Sequence, residues 1–257
     1  MKKIIIIIVL LIFVILGLDD SLQIVNYKID HDNIQSNVRI ALLTDFHSNS
    51  NKNEIIEMLK DQDVDLILLG GDIIDDELEF KQGYDFISDL VSLYPCYYVS
   101  GNHEYWSGQY DQIREKLLIM GVNVLEGECK EVLVNGQTLN ICGIDDFENE
   151  DAFEQLDQCK SSLGENYNIL LAHRPEKIRL YSGFDLVLSG HAHGGQWRIP
   201  YLVNGLYSPN QGVLPNYAGG LYELNSQNFI VSRGLSNEST KIFRFYNHRE
   251  IVVIDLI

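Results

Sequence analysis

Five apolar runs in this chain each lead straight into residues that bind metal or move protons, and that recurrence constrains the fold more than any other feature. The clusters are Asp45-Phe46-His47, Gly71-Asp72-Ile73-Ile74-Asp75, Gly101-Asn102-His103-Glu104, His173 and Gly190-His191-Ala192-His193. The runs before them, 38–43, 64–69, 96–99, 168–172 and 185–189, read as buried strands. Open α/β sheets gather their ligands beyond the carboxyl ends of strands. Groups this far apart in sequence share one site if those strands lie side by side.

The intervening segments agree. Residues 54–60 and 84–93 carry helical spacing, through Ile55, Ile56 and Leu59 in the first and Phe86, Ile87, Leu90 and Val91 in the second. Residues 112–120 and 152–163 read as further helices. Short strands are predicted over 122–125, 131–134 and 138–142, the last two joined by an Asn135-Gly136 hairpin turn. Closing strands fall over 221–224, 229–232 and 250–256. The order is βαβα, then strands, then βαβ, then strands, which predicts an α/β fold of two mixed sheets face to face with helices outside. A chain of 257 residues can bury the core of one such domain.

The formal net charge of -18 counts against nucleic acid and anionic lipid headgroups as partners, since both would repel it. The N-terminus departs from this polar composition. Met1-Lys2-Lys3 precedes an uncharged, almost wholly apolar run from Ile4 to Leu18, and Asp19-Asp20 follows. A helix over that run spans about 22 Å, short of the ~30 Å hydrocarbon core, and lysine snorkelling with local thinning covers part of the difference. We read residues 1–19 as an uncleaved signal-anchor forming a single-pass transmembrane helix, because the run has no alanine and no small-x-small site. A cleaved secretory signal is the alternative. Either reading keeps the two lysines cytoplasmic and exports the rest of the chain. Residues 20–37 then form a connector with one strand over 23–29, and residues 38–257 the functional domain. The four cysteines show no Cys-x-x-Cys spacing, which counts against a thiolate zinc site. Cys96 and Cys142, in apolar strand-like runs, read as buried free thiols. Export would permit oxidation, and four cysteines allow three pairings.

The clusters offer nitrogen and oxygen donors without sulfur, a set that suits Mn²⁺, Fe or Zn²⁺. Asp45 and His47, two apart across a turn, can point at one ion. Asp72 follows a glycine pair that permits close backbone approach, and its two oxygens can bridge two ions. Asn102 offers a neutral carbonyl oxygen, and His173, His191 and His193 offer imidazoles. Each motif alone is ordinary, since Asp-x-His is common on polar surfaces and Gly-Asn-His-Glu makes a helix cap. Their ordered conjunction points to a pair of divalent cations.

That conjunction resembles the five-part signature of the calcineurin-like metallophosphoesterases (D-x-H, G-D-x-x-D, G-N-H-E/D, H, G-H-x-H) over roughly residues 38–256. The apolar N-terminus, Gly190-His191-Ala192-His193-Gly194-Gly195-Gln196 and Val231-Ser232-Arg233-Gly234-Leu235 resemble its membrane-anchored bacterial branch. Some members of that branch look like hydrolases of UDP-2,3-diacylglucosamine. The resemblance implies a four-layer α/β/β/α sandwich and a phosphoesterase using two divalent cations, Mn²⁺ foremost. It implies that Asp45, His47, Asp72 and His193 hold the first metal and Asp72, Asn102, His173 and His191 the second. A metal-bridging hydroxide would be the nucleophile, and His103, oriented by Asp75, the acid at the leaving-group oxygen. Trp106 and Trp197 are candidate pocket walls, and Arg198 and Arg233 are candidates for a second phosphate. The apolar segment 197–217 can admit an acyl chain, rest on the bilayer or pack over the sheet.

The function expected is phosphoester hydrolysis at the extracytoplasmic surface of the cell membrane, on a lipid-linked or nucleotide-linked pyrophosphate such as UDP-2,3-diacylglucosamine. The alternative within the class is a broad-specificity phosphodiesterase or phosphomonoesterase of the cell envelope. A metal-stabilised surface binding protein without catalysis is the reading from another class, and His103 and Asp75 count against it.

Overall fold

The computed structural model describes residues 2–224, 226–236 and 242–257. The N-terminal helix is α1 (Lys2–Gly17). Strands β1 (Leu22–Ile29), β2 (Val38–Leu43), β3 (Leu66–Gly70), β4 (Cys96–Val99) and β5 (Asn123–Val124) are interleaved with α2 (Lys52–Lys60), α3 (Phe80–Val91), α4 (Asn102–Trp106) and α5 (Tyr110–Met120). There follow β6 (Cys129–Val134), β7 (Gln137–Gly143), α6 (Ala152–Ser161), β8 (Tyr167–Leu171) and β9 (Leu186–Ser189). A small ribbon of β10 (Tyr207–Ser208) and β11 (Gly212–Val213) precedes β12 (Gly220–Leu224), β13 (Gln227–Val231) and β14 (Arg249–Leu256).

One sheet has the order β1-β14-β2-β3-β4-β5 and the other β12-β13-β9-β8-β7-β6. Both are mixed: β2, β3 and β4 run parallel with β14 reversed against β2, and β7, β8, β9 and β13 run parallel with β6 and β12 reversed at the edges. The two-residue period of a strand explains the layering. In β2, Ile40 and Leu42 enter the core between the sheets, while Ala41 and Leu43 join the core shared with α2, α3 and α5. In β8, Ile169 and Leu171 face the other sheet and Leu170 faces the core shared with α6. Three apolar layers therefore separate helices, sheet, sheet and helix.

The strand expected at 23–29 is an edge strand of the first sheet, paired in parallel with β14 from Leu22 opposite Arg249 to Ile29 opposite Leu256. Helix α3 starts earlier than its apolar spacing suggests and runs through Gly83. Any side chain there would strike Ile74 (Cγ1 at 2.8 Å), so glycine lets the helix lie against the loop after β3. Cys129 and Cys142 form a disulfide, which corrects the reading of Cys142 as a free thiol. The reason is register: the Asn135-Gly136 turn, with φ of 52° and 83°, sets Cys129 opposite Cys142 on the paired strands. Cys96 and Cys159 are free and buried.

No helix among the described residues is long and apolar enough to cross a membrane. The 16 residues of α1 rise about 24 Å against a hydrocarbon core of ~30 Å. The helix is nonetheless apolar on every side, and residues 4–16 are all exposed. Its C-terminal half touches the domain through Phe13, whose carbonyl accepts the Tyr246 hydroxyl at 2.8 Å and whose ring lies 5.8 Å from that of Phe245.

Candidate metal centre

All five clusters meet at the carboxyl ends of β2, β3, β4, β8 and β9. Backbone hydrogen bonds lace the first two turns together: Asp45 N–H to Gly71 O at 3.0 Å, His47 N–H to Asp72 O at 2.9 Å and Ser48 N–H to Ile73 O at 3.0 Å. The turns are tight. Asp45, His47, Asp72, His191 and His193 all have φ between 47° and 65°, a left-handed conformation that L residues seldom adopt. Such strain, about 1–3 kcal/mol per residue, collects where side chains are held for function. Missing side chains allow the approach. A Cβ on Gly101 would lie 2.2 Å from Asp72 Oδ1, and one on Gly190 2.6 Å from Asp45 Oδ2.

Asp45, His47 and His193 bring one ligand atom each within 4.8 Å of one another, and so do Asp72, His173 and His191. All six residues are buried. Asp72 faces both groups: its Oδ2 is 3.0 Å from His173 Nε2 and 3.9 Å from His47 Nε2. Two buried acceptors, Asn102 Oδ1 and His47 Nε2, have no hydrogen-bond partner among the described residues. Leaving such atoms unpaired is costly, and divalent transition-metal cations, which accept both oxygen and imidazole donors, would satisfy both. The remaining ring nitrogens are already fixed. His173 Nδ1 donates to Gly70 O at 2.7 Å, and His47 Nδ1 pairs with Asp75 Oδ2 at 2.9 Å. Each ring thus keeps Nε2 for the site, the arrangement that orients metal-binding imidazoles. The donor set fits a pair of cations.

Charge is already balanced toward that purpose. Burial opposes ionisation of Asp72, yet His173, His103 and His47 beside it hold its carboxyl well below the usual range. Burial likewise opposes a proton on His173, but the neighbouring Asp72 prevails and raises it to about 10. His191 is pushed down to about 3 by burial and by His173. His193 is pushed well down by burial, His47 and Arg244. His191 and His193 are therefore kept in the neutral form that binds metal, while loading would displace protons from the others.

His103 stands at the rim, half-buried, its ring 4.5 Å from His47 and 4.9 Å from Trp106. Its partner differs from the expected one. Asp75 Oδ2 lies 3.5 Å from His103 Nδ1, whereas Asp76 Oδ1 lies 2.5 Å away. Asp75 instead serves His47, because Ser48 Oγ accepts the Asp75 N–H at 3.2 Å and draws it toward the β2 turn. Trp106 stands beside His103, as a pocket wall would. Trp197 packs at a tilt on Phe243 and Phe245, with ring centroids 5.3 and 5.7 Å away. Arg198 bonds Asn204, and Arg233 pairs with Glu250 at 2.5 Å, so these contacts lie outside the ligand cluster.

Three contributors were given no role of their own in the sequence reading. Glu104, fully buried, accepts four backbone N–H groups, from Asp72, Ile73, Ile74 and Gly101, at 2.8–3.0 Å. Arg174, next to His173, makes a buried forked pair with Asp146 at 2.7 and 2.8 Å. Asn210, from the β10–β11 turn, places Oδ1 2.8 Å from His191 Nε2. Glu104 lies within a motif and Arg174 adjoins one, which was a usable signal. Nothing local to Asn210 marks it.

Residues 38–195 match the family described as calcineurin-like phosphoesterase. The chain is 34% identical over 178 residues to a metallophosphoesterase of Helicobacter pylori, covering 64% of this chain and 47% of that protein. It thus spans about half the length of that relative. It is 30% identical over 217 residues to the metallophosphoesterase YkoQ of Bacillus subtilis, covering 80% of this chain and 78% of the other. It is 28% identical over 233 residues to the phosphodiesterase YaeI of Escherichia coli, covering 85% and 82%. Among solved structures, the phosphopantetheinyl hydrolase of Mycobacterium tuberculosis superposes with a TM-score of 0.51 at 12% identity, covering 82% of this chain and 96% of that one. That likeness is one of fold.

Proposed function

The chain belongs to the calcineurin-like phosphoesterase family, and from that premise we propose that it is a metal-dependent enzyme that hydrolyses phosphodiesters with two divalent cations, manganese foremost. The observation that carries this reading is that Asp72, a member of one buried donor triad, also lies 3.9 Å from His47 of the other, with Asn102 Oδ1 and His47 Nε2 left unpaired in the site. Asp45, His47, Asp72 and His193 would hold one cation, and Asp72, Asn102, His173 and His191 the other. When bound, such a pair supplies positive charge to the phosphoryl oxygens and an acidic water as nucleophile. Asp75 and Gly70 orient the His47 and His173 rings. His103, held at Nδ1 by Asp76, keeps Nε2 to protonate the departing oxygen.

The similarity to the phosphodiesterase YaeI supports a diester over a monoester. For the natural substrate we take a diester or pyrophosphate bearing an apolar group, of which UDP-2,3-diacylglucosamine is one example. It would be hydrolysed outside the cytoplasmic membrane with α1 as anchor. Support for the anchor is the uncharged, apolar stretch of α1 from residue 4 to residue 17, behind Lys2 and Lys3 at its start.

The test uses full-length protein in detergent, stripped of metal and reloaded with Mn²⁺, acting on bis(p-nitrophenyl) phosphate. Mn²⁺-dependent hydrolysis is expected, and His103→Ala at unchanged metal content should lose roughly a hundredfold on a dialkyl phosphodiester while nearly keeping its rate on the p-nitrophenyl ester, whose leaving group needs little protonation. Equal rates of the two proteins on the dialkyl diester would remove His103 from the chemistry. Failure of the wild type on every phosphoester tried would defeat the reading.

A further inference from the structure

Resting on the anchored phosphoesterase read above, we propose that the loop from β9 to β12 is a second membrane contact, which seats the rim of the metal site on the lipid surface. Its outward side chains are apolar and uncovered. Leu202 is 81% exposed and Val213 70%, with Tyr201 and Leu214 beside them in sequence also exposed. Apolar surface this concentrated marks an interaction site.

The occupant follows from α1. Phe243, also exposed, packs on Trp197, Trp197 on Phe245, and Phe245 on Phe13 of α1. Tyr246 N–H donates to Gly17 O at 2.7 Å and fixes the end of α1 on the same side. A second copy of the chain could cover one face of α1, but a helix apolar all round needs lipid around its circumference. The medium that surrounds α1 therefore reaches the Trp197–Phe243 edge of the loop.

The same loop reaches inward. Asn210, three residues before Val213, bonds His191 at the metal centre. Behind the apolar lip lies a cavity of about 310 Å³ lined by Arg198, Leu202, Asn204 and Tyr246. Arg198 Nη1 is buried with no hydrogen-bond partner among the described residues. A cation beneath an apolar lip suits the phosphate of a lipid headgroup. The substrate class implied is a phosphoester whose acyl end stays in the bilayer.

The test uses the full chain in phosphatidylcholine vesicles containing bromine-labelled lipid. An environment-sensitive fluorophore is attached at Val213→Cys or, as control, at Leu133→Cys, which is equally exposed on β6 of the second sheet. Quenching several-fold stronger at 213 than at 133 is expected. A triple variant, Leu202→Ser with Val213→Ser and Leu214→Ser, should lose roughly tenfold or more on a vesicle-borne phosphodiester, since each burial counts about that much in partitioning. Its rate on bis(p-nitrophenyl) phosphate should be unchanged. Equal quenching at the two positions overturns the contact, and so does a label shielded from bromine in a particle of twice the chain mass. Selective quenching without hydrolysis of any phosphoester would instead sink the enzymatic reading and leave the contact standing.

Discussion

Replacing Glu104 by glutamine removes one oxygen and adds one NH₂ at the centre of the loops that carry Asp72 and Asn102. In the wild type, Oε1 accepts from Ile73 and Ile74 and Oε2 from Asp72 and Gly101. Whichever way the glutamine amide is turned, its NH₂ faces two N–H donors and can accept neither. The site is sealed from water, with Glu104 wholly buried, so both donors are orphaned. At about 1–3 kcal/mol for each buried N–H left unpaired, Glu104→Gln should cost about 2–6 kcal/mol. That is a large share of the ~5–15 kcal/mol that stabilises a typical domain. Urea unfolding of the metal-free protein reads it directly, as a lower midpoint at unchanged slope. Mn²⁺ affinity should fall as well, because the two loops would no longer be locked to each other. A change within about 0.5 kcal/mol, ordinary for surface positions, would refute the claim that four N–H groups depend on this carboxylate.

Asp76→Asn should slow esters with alkyl leaving groups roughly tenfold or more while sparing p-nitrophenyl esters, which need little protonation; steady-state rates on the two ester types decide it. Asp75→Asn should instead weaken Mn²⁺ binding by roughly 10–100-fold through the loosened His47 ring, and titration with Mn²⁺ would show the two effects exchanged if the partners were assigned wrongly. Gly101→Ala should lower metal content measured by mass spectrometry, because its Cβ would stand 2.2 Å from Asp72 Oδ1; full metal content would show that the loops yield freely. Burial pushes the thiols of Cys96 and Cys159 up to about 12, so little thiolate exists at neutral pH and iodoacetamide should label neither. After unfolding without reductant two thiols should react, and rapid labelling of the native chain would contradict the burial.

Much of this was legible in the chain. The central strands are continuous apolar runs because both faces are covered, so β2, β3, β8 and β9 stand out without alternation. The motifs follow each of them, and the ligand side chains converge because those strands are parallel within each sheet. What stayed hidden depends on a single turn or a long reach. Asp75 and Asp76 are adjacent and chemically alike, and only the Ser48 contact decides which of them serves His103. Asn210 arrives from a loop without periodicity. The Cys129–Cys142 disulfide lay within reach, since counting outward from the Asn135-Gly136 turn pairs those two positions. Helix α1 was legible as apolar, but its length falls short of a span.

The central claim is that one carboxylate, Asp72, joins two cations. Its most direct test is the manganese content of full-length protein after exhaustive dialysis, compared with Asp72→Asn prepared alongside. About two manganese ions per wild-type chain are expected, with at most one retained by the variant. A wild type that holds one ion or none in excess manganese, or a variant that keeps both, would contradict the account.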